Sequence, residues 1–135
     1  MEKVGTKPFL SARKPEHVVV FDFLAGLEVL LVTNKKCFKH FTENNNFPDD
    51  YDLSNTWLDN GRSCVMETKQ GVCFFVLFLR DHSTRVIIHE CVHMIHQICD
   101  EKGIPLTVDN SETIAYMTDF LTCKVLSILK PDFDF

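Results

Sequence analysis

Residues 85–103 read RVIIHECVHMIHQICDEKG. Their apolar members Ile88, Cys91, Val92, Ile95 and Cys99 recur every three or four positions, the period of one helical face. Asp81, Ser83 and Thr84 offer capping oxygens ahead of the run, and Gly103 and Pro105 stop it. The stretch is therefore predicted as a long helix with its apolar side turned inward, and the rest of the chain is arranged around it.

Upstream, SCVMETK from Ser63 and VCFFVLFL from Val72 read as two strands joined by a tight turn at Gln70-Gly71, the second lying deep in a sheet. Further back, HVVVFDF from His17 and LEVLLVT from Leu27 are rich in β-branched and aromatic residues and read as strands broken near Gly26. Between the two pairs, NKKCFKHFTENN places Cys37, Phe38 and Phe41 at helical spacing after Asn34, a natural N-cap, and NNNFPDDYDLSN reads as loop. Downstream, residues 104–110 form a loop before a helix from Ser111 to Leu129, with Ile114, Met117, Leu121, Val125 and Ile128 inward and Pro131 at its end. The expected class is α+β: a small antiparallel or mixed sheet packed against the 85–103 helix and a C-terminal helix. One domain spans 1–135, with an irregular arm over 1–15 marked by Pro8 and Pro15 and a loose tail over 131–135.

The chain has 135 residues, 45% hydrophobic and 24% charged, with a net charge of −5. That is an ordinary globular composition, and the acidic balance argues against a nucleic-acid partner. Lys35, Lys36, Lys39 and His40 cluster on one segment and read as a solvated helix face. The start, MEKVGTKPFL, has no apolar run of signal-peptide length, and the longest apolar stretch, Val72 to Leu79, is too short to cross a bilayer, so a cytoplasmic, non-membrane protein is expected. The six cysteines form no C-x-x-C pair and sit in apolar segments, which predicts reduced core thiols and no cysteine zinc site.

His89-Glu90-Cys91-Val92-His93 fits the H-E-x-x-H pattern of zinc hydrolases. Residues at i and i+4 lie one above the other on a helix, so His89 and His93 can converge on a single Zn2+ ion from the same face. Glu90 points to the side of that pair, where its carboxylate can accept a proton from a water activated by the metal as it attacks a carbonyl. With six histidines and eight glutamates in the chain, random shuffling would produce the pattern about once or twice in a hundred trials, which limits the risk of coincidence.

Catalytic zinc normally takes three protein ligands. Glu112, nineteen residues after His93 at the start of the next helix, is the preferred third, reached if the intervening loop folds its side chain back. Asp109-Asn110-Ser111-Glu112 also fits a capping box, which would give Glu112 a purely structural role. His96 is the rival ligand, although three ligands on one uninterrupted helix lie nearly in line. It is otherwise an accessory or surface residue. Asp119 can orient a ligand histidine through its free N–H or remain a solvated charge. Tyr116 can assist an oxyanion or simply pack. His82, Arg80 and Arg85 flank the helix and read as solvated charges.

The run VIIHECVHMIHQICDEKGIPLTVDNSETIAYMTDFL, with strand, hairpin, motif helix and Glu-bearing helix in this order, resembles the gluzincin side of the zincin metallopeptidases, reduced to its core. It is also similar to short zincin-like proteins of bacteriophages in which HExxH is followed by E-x-x-A-Y. The resemblance implies zinc at His89, His93 and Glu112, Glu90 as general base, and a peptide or protein substrate lying along the sheet edge beside the metal helix. The expected function is a zinc metallopeptidase. A zinc-stabilised binding factor of phage origin acting on a host protein, and a metal hydrolase of another bond, are the alternatives.

Overall fold

The computed structural model describes residues 17–133. The expected arm over 1–15 and the last two residues of the expected tail lie outside that range. In chain order the elements are β1 (His17–Phe21), β2 (Leu27–Val32), α1 (Lys35–Glu43), α2 (Leu53–Thr56), β3 (Gly61–Glu67), β4 (Cys73–Leu79), α3 (Thr84–Lys102) and α4 (Ser111–Leu129). The class is α+β, with a four-stranded mixed sheet in the order β1-β2-β4-β3. β1 and β2 are antiparallel, β2 and β4 parallel, and β3 and β4 antiparallel.

The apolar runs in β2 and β4 are explained by this order, because both strands are central and covered on both faces. Alternate side chains go opposite ways. Val29, Leu31, Leu77 and Leu79 join α3 and α4 in one core, while Leu30, Val32, Phe74, Val76 and Phe78 join Cys37 and Phe41 of α1 in the other. The sheet is the middle of three layers. α1 begins at the expected Asn34, whose Oδ1 accepts from the Cys37 N–H at 2.8 Å, and its lysines are exposed.

α3 starts behind Ser83, whose hydroxyl accepts from Val86 N–H. It ends at Gly103, where φ of 68° lets the chain turn left-handed and hand its N–H groups back to the last carbonyls. Its inner face carries Val86, Ile87, Cys91, Met94, Ile95, Ile98 and Cys99. α4 returns antiparallel after a short connection, with Cys91 meeting Thr122 across the seam and Met117, Leu121 and Val125 buried.

Several expectations change. The first strand stops at Phe21, and Asp22–Leu24 forms a single 3-10 turn before Ala25 and Gly26, both at positive φ. Part of the expected 44–55 loop is the one-turn helix α2. β3 begins two residues before Ser63, at Gly61, and its turn to β4 is closed by Thr68 and Val72. Ile88 is 42% exposed, because the strip of α3 that it occupies lies outside the seam with α4 and the sheet. The cysteines are free, but Cys73 is exposed and Cys64 and Cys123 are half-buried. Among the described residues no helix is long and apolar enough to cross a membrane.

Candidate metal centre

His89 and His93 stand on the outer side of α3, both exposed. Their Nε2 atoms face each other at 3.2 Å, and their ring planes are 72° apart. At that distance an Nε2–H of one ring can donate to the bare Nε2 of the other. Two imidazole nitrogens bound to one tetrahedral zinc through bonds of about 2.0–2.1 Å sit about 3.3 Å apart. The observed pair therefore fits two positions of a zinc site.

Glu90 is held differently. Its side chain is nearly buried, with residue exposure of 9%, at the border between the α3 inner face and the outer strip of histidines. Oε2 lies 4.0 Å from His89 Nε2. The reason the carboxylate can lie here is in β3: a Cβ on Gly61 would come within 2.8 Å of both Glu90 Cγ and Val86 Cγ1. The strand passes directly against the side chain, and only hydrogen fits between them. Cys91, the next residue, faces inward, where burial pushes its thiol up to about 12, and it stays a protonated core residue. Burial likewise raises the Cys64 thiol to about 11.

Beside His89 and Glu90 a cleft of about 300 Å³ is lined by Asp59, Asn60, Gly61, Arg85 and Val86. Asp59 accepts from the Nε of Arg62 at 3.0 Å. The Asn60 carbonyl oxygen accepts from the backbone N–H groups of Arg80 and Asp81, and its side chain accepts from Arg80. These bonds fix the segment before β3 against the segment that leads into α3. One turn past His93, Gln97 donates from Nε2 to the Ser63 carbonyl oxygen at 3.1 Å, which clamps the helix to the sheet edge. A larger cavity of about 500 Å³ lies between the β1–β2 connection and the C-terminal end of α3, and it contains no residue of the HExxH motif.

The other expected participants are placed elsewhere. α3 continues to Lys102, so nearly half of the nineteen-residue interval to Glu112 is used on helix. Glu112 is exposed in the first turn of α4, where its charge complements the helix dipole. No side-chain capping bond is made at the start of α4, and the Asn110 side chain donates to the Pro105 carbonyl oxygen. His96 is exposed on α3. Among the described residues no three His, Cys, Asp or Glu side chains form a group placed to hold a metal ion.

Asp119 accepts from the Cys123 thiol at 3.5 Å on the outer face of α4. Tyr116 is 57% exposed and packs its ring on Phe23, with centroids 5.2 Å apart. His82 is not a solvated charge: its Nε2 lies 2.9 Å from the carbonyl oxygens of both Thr33 and Leu79 and ties the ends of β2 and β4 together. Gly61, Asn60 and Gln97 were not singled out by the sequence, and no local pattern marks them, because each matters through a partner on another element. Compared with known protein families, curated proteins and solved structures, the chain matches none.

Proposed function

We propose that this chain is a zinc-dependent hydrolase of peptide bonds, with His89 and His93 as metal ligands and Glu90 as general base. The observation that carries the reading is the 3.2 Å separation of the two Nε2 atoms with a carboxylate oxygen 4.0 Å from one of them. His89 and His93 would hold the zinc, which would supply a Lewis acid for a bound water and the substrate carbonyl. Glu90 accepts the water's proton as its oxygen adds to the carbonyl carbon, then returns that proton to the departing nitrogen as the C–N bond breaks. Gly61 and Val86 keep the carboxylate in one position while this happens. The α+β class, with edge strand β3 and central strand β4 preceding motif helix α3, is compatible with the zincin-like core that the resemblance implies.

The third ligand position belongs to Glu112, to His96, or to water and substrate. Zinc content of Glu112→Ala and His96→Ala decides among them, since loss in one names the ligand and retention in both leaves the position to solvent. Incubating the zinc-loaded protein with a defined peptide mixture and reading new termini by mass spectrometry tests the reaction. Cleavage that stops on chelation and returns with added zinc is expected. A zinc-loaded protein that leaves every peptide intact would instead favour a zinc-stabilised binding factor or a hydrolase of another bond.

A further inference from the structure

Arg85 occupies the first turn of α3, one turn ahead of His89, and lines the cleft beside Glu90. A positive charge there opposes the helix dipole, and the first turn of α3 holds no acidic residue to offset it. Of the two acids that line the cleft, Asp59 is engaged by Arg62, and Glu90 lies toward His89, with Oε2 4.0 Å from its Nε2. Among the described residues Arg85 has no carboxylate within ion-pairing distance.

Backbone recognition next to the cleft is restricted. The outer edge of β3 would be open to an added strand, but the Ser63 carbonyl oxygen is taken by Gln97 and the Glu67 N–H by the Tyr51 hydroxyl. An extended chain cannot pair along the whole edge. Contact is confined to the Gly61 end, so side-chain recognition in the cleft carries more of the selection. Residues at i and i+4 on a helix have Cβ atoms about 5–6 Å apart. Arg85 also lines the same cleft as His89 and Glu90, so a group held by its guanidinium lies close to a carbonyl positioned beside them.

Resting on the hydrolase reading above, we infer that the cleft selects substrates carrying a carboxylate close to the reacting carbonyl, and that Arg85 is the group that binds it. The planar guanidinium matches a carboxylate through paired N–H donors. The carboxylate is either an acidic side chain or the free end of a peptide.

The test uses three small hydroxamates that share one zinc-binding group. One bears a neutral amide one residue away, one an acidic side chain with a capped end, and one a neutral side chain with a free terminal carboxylate. Affinities for the zinc-loaded full chain are measured by calorimetry. Wild type is expected to bind at least one of the two acids about tenfold or more tightly than the neutral compound, and which acid wins identifies the source of the carboxylate. Arg85→Gln is expected to erase the preference, and Arg85→Lys to restore part of it. Equal affinities in wild type, or a preference that survives Arg85→Gln, would overturn the assignment of Arg85 while leaving the metal site standing. Failure of all three compounds to bind in a zinc-dependent way would overturn the metal site and this inference together.

Discussion

Glu90→Gln is expected to lower peptide hydrolysis by about 10²- to 10⁴-fold, the range that a positioned general base contributes, with zinc content unchanged. The substitution keeps the size and shape of the side chain, so the packing against Gly61 and Val86 survives. It removes the lone pair that accepts the water's proton. Because Glu90 is not one of the proposed ligands, the metal has no reason to leave. Steady-state rates on a peptide that the wild type cleaves, with zinc quantified on the same preparation, give the answer. Turnover within a factor of about three of wild type would remove Glu90 from the role of base. If the protein were only a zinc-stabilised binder, Glu90→Gln would change nothing measurable.

Gly61→Ala should produce the second large effect, from a residue that holds no functional group. The added methyl would sit 2.8 Å from Glu90 Cγ and from Val86 Cγ1, closer than carbon atoms can approach. Val86 is buried in the main core and anchored in the first turn of α3, so the more mobile Glu90 side chain is the one expected to yield. A displacement of about 1 Å at a catalytic group costs about 100-fold in rate. The rate on the same peptide should fall by about that factor, while zinc content stays at the wild-type level because the imidazole pair lies on the outer side of α3. Full activity in Gly61→Ala would mean that the carboxylate position seen here does not matter for turnover.

These two substitutions also mark the boundary of what could be read from the chain itself. His89, Glu90 and His93 are legible because their relation is local: a helix places i and i+4 together whatever surrounds it. β4 was legible as a deep strand because a run such as VCFFVLFL is unlike a half-exposed one. Gly61 is a different case, since its role exists only where β3 crosses Glu90, twenty-nine residues later in the sequence. Gln97 looked like one more polar residue on a helix until its partner, the Ser63 carbonyl oxygen, was in view.

Glu112 is a residue whose role spacing alone does not decide. A count of residues between two elements says how far a loop can reach only if the residues are in the loop. Here α3 extends to Lys102 and takes up nearly half of the interval as rigid helix, at about 1.5 Å of axial advance per residue. His82 was similarly opaque, because the two carbonyl oxygens that occupy it belong to the ends of strands β2 and β4. The Asn34 and Ser83 caps, by contrast, follow from side-chain chemistry within three residues and stand where they were expected.

The central claim is that His89 and His93 together hold one zinc ion. Its most direct measurement is the zinc content of the purified full chain after loading and removal of free metal, compared with His89→Ala and His93→Ala prepared identically. About one zinc per chain in wild type and close to none in either variant is the expected result, since catalytic zinc relies on its imidazole ligands. A wild-type chain that emerges without zinc, or variants that retain as much zinc as wild type, would contradict it.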